Sequence, residues 1–253
     1  MNFRLLWLDY VGMLRERKTW LGALMLAYAV LTMPVVLERP PEHVKQAIAT
    51  WFGSADPFAI FMYVWLDLAM NKVIAFLPVV MASGLVLRER DARILPLLAS
   101  KPISLPQYFT IRTSSACAVV ATLHIGAQIA GAVWFSLRVP GFRVIPFVEA
   151  MSLHLFAGIF ATALSATIGA WVKHRGTSAL VGFSVLNGLV GLALVGFYQP
   201  TWRDVTMLNP ITLGSAALDD LGGGFQIAPV LALLALTAAT VAFGARGVRR
   251  IEA

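Results

Sequence analysis

Four side chains in this sequence have the chemistry of an acid, base, nucleophile or metal ligand while standing in or beside long apolar runs: Asp67, Cys117, His124 and His154. Cys117 and His124 on one helix would lie two turns apart, about 10 Å along its axis, too far to share one ion at ordinary ligand distances. Proton-transfer chemistry needs an acid and a base converging on one point. His124 falls near the middle of its apolar run and Asp67 at or beyond the end of its own, which is poor geometry for an enzyme. Cys117 is the sole cysteine, so no intrachain disulfide can form. The phosphate-binding loop, the nucleophile elbow, H-E-x-x-H and C-x-x-C are all absent. Gly222-Gly223-Gly224 lacks the Lys-Ser/Thr that a phosphate loop requires and reads as a turn. Nothing here suggests that the chain itself hydrolyses ATP.

The elements that must position these groups are membrane helices. Hydrophobic residues make up 58% of the chain and charged residues 13%, against about 45–50% and about 25% in ordinary soluble domains. A bilayer can accept that much apolar surface, and a soluble core of this size cannot. Six stretches meet the requirement of about 20 mostly apolar residues: Thr19–Leu37, Ala69–Leu87, Thr113–Phe135, Phe147–Val172, Ser178–Phe197 and Ile227–Phe243. Basic residues cluster at the ends of these runs, which argues for a membrane surface and against nucleic acid as the partner of this basic chain. With both termini in the cytoplasm, 14 of the 20 Lys and Arg lie inside and 6 outside, the distribution the positive-inside rule favours. Ala27-Tyr28-Ala29 resembles a signal-peptidase site, but the apolar run continues to Leu37, so the first span is expected to stay uncleaved.

Ahead of the first span, Phe3, Leu6, Trp7, Tyr10, Val11 and Leu14 fall on one helical face, which predicts an amphipathic helix lying in the interface. Phe58–Leu68 adds more apolar sequence before the second span than a bilayer requires, and is expected to form an interfacial or re-entrant helix. A short amphipathic helix is expected around His43–Phe52, with modest loops elsewhere. The expected organisation is an interfacial helix over 1–18, a six-helix transmembrane domain over 19–247 and a cytoplasmic tail over 248–253.

Three spans carry stripes of small and polar residues. The third has His124, Ala127, Gln128 and Gly131; the fourth His154, Gly158, Ala161, Ser165 and Gly169; the fifth Ser184, Asn187, Gly188 and Gly191. Small residues let helix backbones approach and polar ones hydrogen-bond across helices. Helix packing is the simplest reading. Intramembrane polar groups also mark transport routes, so a translocation path or a contact between two copies is the alternative.

The segment from Glu89 to Ser104, Glu-Arg-Asp-Ala-Arg-Ile-Leu-Pro-Leu-Leu-Ala-Ser-Lys-Pro-Ile-Ser, is a charged stop, a short apolar helix and a Pro-containing return to the membrane. Leu95 and Leu98 would share one face of that helix and need a lipid or protein surface to cover them. This stretch resembles the E-R-E-x-G-T-L-E-L-L-L-S-x-P-I-S segment between the second and third spans of the permease subunits of ABC-2-type transporters. Glu89, Arg90, Leu95, Leu97, Leu98, Ser100, Pro102, Ile103 and Ser104 match, and Asp91 is a close substitute. The layout is similar as well: an interfacial helix, then six spans, with no nucleotide site.

The resemblance implies a transport subunit, not an enzyme, working with a separate cytoplasmic ATPase that carries the ATP and Mg. Glu89–Ser104 would then be the ATPase-coupling segment. It also implies a second permease copy, identical or a close paralogue, and a multi-pass location in the cytoplasmic (inner) membrane. Arg93, Ile94 and Pro96 depart from the family's Gly, Thr and second Glu. Because Pro is tolerated only in the first turn of a helix, the short helix is expected to start near Arg93–Leu95. The alternatives are a non-transporting subunit of an ATPase-driven assembly or maturation complex, and a polytopic membrane enzyme.

Overall fold

The computed structural model describes residues 3–38, 56–91, 103–198 and 200–250. All regular structure among these residues is helical. The chain begins with α1 (Phe3–Leu14) and α2 (Arg17–Glu38). A long interrupted run follows: α3 (Pro57–Tyr63), a π-helical segment (Val64–Met70), α4 (Asn71–Ala82) and α5 (Leu85–Asp91). Next come α6 (Leu105–Arg138), α7 (Val144–Trp171) and α8 (Arg175–Tyr198). After short helical turns, including α9 (Arg203–Thr206) and α10 (Pro210–Gly214), α11 (Ile227–Arg249) completes the described chain.

Among the described residues, six helical runs are long and apolar enough to cross a membrane: Arg17–Val35, Pro57–Glu89, Leu105–Arg138, Val144–Trp171, Arg175–Val195 and Ile227–Arg249. They overlie the six runs read from the sequence. Large apolar side chains stand on their outward faces, among them Leu24 and Leu31 of α2, Ile129 and Val133 of α6, Leu180 of α8 and Leu231 of α11. On a soluble protein such surface would be a liability; on helices of this length it is the face a bilayer covers. At about 1.5 Å per residue, the 34 residues of α6 extend about 50 Å. A hydrocarbon core is about 30 Å thick, so the polar ends of α6 project beyond it.

Helix α7 is the hub, packed against α4, α6, α8, α10 and α11. Between helices in lipid the gain comes from close packing, because lipid tails are as apolar as leucine. Small residues provide that closeness. A Cβ on Gly169 of α7 would stand 2.6 Å from the Ser83 carbonyl oxygen, and one on Gly244 of α11 would stand 2.5 Å from the Phe109 ring. The chain folds back so that both described ends lie together. Arg250, just past α11, stacks its guanidinium 4.5 Å from the Trp171 ring at the end of α7, and α1 packs on the first half of α6.

Two expectations change. Residues 58–66 pack inside the protein: Phe58, Phe61 and Trp65 are fully buried, and the helical run continues through the π segment into α4. The extra apolar length is covered by protein. Phe61 and Trp65 meet the Phe135 ring edge-on at 4.8 and 4.9 Å, and Phe61 meets Phe142 at 5.6 Å. The connection before α11 is also more than a modest loop, since Ile211 is fully buried and a Cβ on Gly214 would come 2.4 Å from the Ala157 Cβ. Within it Gly222 and Gly224 take φ of +106° and +96°, the turn conformation that glycine permits. The helix expected around His43–Phe52 lies outside the described residues.

Candidate functional site

Of the proposed coupling segment, the structure describes its two ends. Glu89, in the last turn of α5, is buried. Its Oε1 lies 3.2 Å from Nη2 of Arg112 on α6, and Nη1 of the same guanidinium donates to Asp9 Oδ1 on α1. One arginine thus joins three elements. Asp9 Oδ2, Glu89 Oε2 and Arg112 Nε have no protein partner among the described residues, so the guanidinium carries most of the polar satisfaction of the group. Asp91, half a turn beyond Glu89, is exposed.

The far end of the segment starts α6. Ser104 is its N-cap: Oγ accepts from the Gln107 backbone N at 3.4 Å, and Gln107 Oε1 accepts from the Ser104 N at 3.3 Å, a capping box. Pro106 sits in the first turn, where its missing N–H costs nothing. Ile103 is half-buried and Ser104 exposed. Leu95, Leu97, Leu98, Ser100 and Pro102, with the predicted helix start at Arg93–Leu95, lie outside the described residues, as does the Arg90 side chain.

The polar stripes divide into two kinds. Those of the third and fourth spans close on one another inside the bundle. His124 donates from Nε2 to the Met151 carbonyl at 3.0 Å, since a carbonyl can only accept. Gln128 donates to the Val148 carbonyl at 3.0 Å and to Ser152 Oγ at 3.2 Å. His154 Nε2 lies 3.2 Å from Asn71 Oδ1 of α4, and the two imidazoles stack at 5.5 Å between centroids. His154 Nδ1 has no protein partner among the described residues. Ser165 bonds back to the Ala161 carbonyl of its own helix at 2.9 Å. This seam ties α4, α6 and α7 together and reads as interhelical packing. The fifth-span stripe behaves differently. Ser184, Asn187 and Gly188 are exposed on the outward face of α8, a Cβ on Gly188 or Gly191 would meet nothing within 4 Å, and Asn187 bonds to the Phe183 carbonyl of its own helix at 2.8 Å.

Sequence reasoning did not pair His124 with His154, and it missed Asn71, Arg112 and Asp9. Asn71 had a visible signal, an amide inside an apolar run; the other two looked like ordinary interface charges. Cys117 is half-buried, with its thiol 3.6 Å from the Ile159 carbonyl. No group of three or more His, Cys, Asp or Glu able to hold a metal occurs among the described residues. The Asp67 side chain lies outside the described residues. No family model matches the chain, and no curated protein is significantly similar to it.

Proposed function

We propose that this chain is the membrane-spanning permease subunit of an ABC-2-type, ATP-driven transporter. In this reading both termini face the cytoplasm, α1 lies at the interface, and Glu89–Ser104 receives the motion of a separate ATPase. The observation that carries the reading is the buried Asp9–Arg112–Glu89 group. It roots the first residue of the resembling segment in α1 and α6, while Ser104 caps α6 at the other end. A push on the segment would therefore move α1, α5 and α6 together and not merely flex a loop. The outward stripe Ser184, Asn187, Gly188 and Gly191 on α8 supports a second copy packing there, because exposed small and polar residues in lipid favour helix association.

The test is purification of the chain in mild detergent with its native partners. It is expected to bring down an ATPase bearing a phosphate-binding loop, and Glu89→Gln is expected to weaken stimulation of that ATPase without abolishing its capture. Failure to recover any such ATPase would overturn the proposal.

A further inference from the structure

The second membrane-crossing run opens between α4 and α5, at Ser83 and Gly84, and the opening exposes backbone carbonyls that a continuous helix would occupy. Two of them are met from other elements: Lys18 Nζ donates to the Met81 carbonyl at 3.0 Å, and Ser178 Oγ of α8 donates to the Ser83 carbonyl at 2.6 Å. These stitches draw the first turns of α2 and α8 against the break. A cavity of about 390 Å³ remains between them, lined by Glu16, Lys18, Gly84, Arg88, Arg112 and Arg175 among others.

The charges around it do not cancel. Arg112 is committed to Asp9 and Glu89. Glu16 is shared between Lys18 at 3.1 Å and Arg88 at 3.6 Å. Arg175 lies over Gly84, its Nε 3.3 Å from where a Cβ would stand, and has no carboxylate partner among the described residues. Among the described residues, Lys18, Arg88 and Arg175 therefore face one carboxylate. The first N–H groups of α8 open beside them at Gly176, another lining residue, and helix N-terminal amides attract anions. Arginine guanidinium groups match tetrahedral oxyanions through paired donors.

The cavity also has an apolar exit. Val80 and Ala179 line it, and one turn further along the same faces stand exposed Phe76 of α4 and Phe183 of α8, in edge contact at 6.3 Å. An apolar strip thus runs from the charged end along the adjoining faces of α4 and α8.

We propose that this cavity is a binding site for an acidic phospholipid, with the phosphate held by Lys18, Arg88 and Arg175 and an acyl chain laid along Val80, Phe76 and Phe183. The proposal is independent of the permease reading, needs only the bilayer, and is tested without any ATPase. Purified full-length chain in zwitterionic detergent is titrated with phosphatidylglycerol, phosphatidylcholine and soluble glycerol phosphate, with bound lipid read by native mass spectrometry. Phosphatidylglycerol is expected to bind in preference to phosphatidylcholine. Arg175→Gln and Arg88→Gln are each expected to reduce that preference about fivefold, the usual weight of one basic side chain at an anionic membrane surface. Arg246→Gln, a basic change at the same end but away from the cavity lining, is expected to leave it intact. Unchanged thermal unfolding in phosphatidylcholine shows that the variants are folded. Equal binding of both lipids, or an equal effect of Arg246→Gln, would overturn the site. Saturation by glycerol phosphate without lipid preference would overturn the lipid and assign the cavity to a soluble phosphate.

Discussion

At the scale of single residues, the Asp9–Arg112–Glu89 group places three formal charges where the Arg112 side chain is 14% and the Glu89 side chain 10% accessible. Removing the shared cation would leave two carboxylates facing each other with little water. Arg112→Met is therefore expected to cost about 3–5 kcal/mol of stability, measured as unfolding in mixed micelles. Adding Glu89→Gln to that variant is expected to recover part of the loss, because one of the stranded charges is removed. The motif made Glu89 legible from sequence alone. Its partners were not legible, because Asp9 and Arg112 are far from it in the chain and have the residue types of any interface charge.

At the scale of elements, the glycines separate faces packed within the chain from faces turned outward. Gly169 backs directly onto the Ser83 carbonyl, while Gly188 has open space before it. Gly169→Ala is expected to destabilise the bundle by about 1–3 kcal/mol through overpacking, while Gly188→Ala, with open space before it, is expected not to lower the thermal midpoint of the single chain. Both glycines looked alike in sequence, each part of a small-residue stripe. Periodicity gives the face of a helix but not the neighbour that the face meets. With Cys117 replaced by Ala, a cysteine at Asn187 or Gly191 is expected to cross-link two copies in the membrane under mild oxidation, and one at Leu153, buried within the bundle, is not. Absence of cross-linking on α8 would remove that face as a dimer contact.

At the scale of the whole molecule, six helices long and apolar enough to cross a membrane bring both described ends to the same end of the bundle. The basic-residue bias predicts which side that is: reporters fused after Arg250 should show cytoplasmic activity, and reporters inserted at Gly141, between α6 and α7, periplasmic activity. The opposite pattern would invert the topology. The number and placement of the spans were determined by the sequence itself, because bilayer thickness imposes a length and an apolarity that can be counted along the chain. So was the turn at Gly222–Gly224, whose positive φ glycine alone adopts without strain. Tertiary structure decided what distant segments do to one another: that residues 58–66 are covered by Phe135, Phe142 and Phe147 instead of lipid, that two histidines on different helices stack, and that three cations gather around the break at Ser83–Gly84. Such contacts depend on the rotation and depth of each helix against its neighbours, which packing sets between residues remote in the chain and no local pattern encodes.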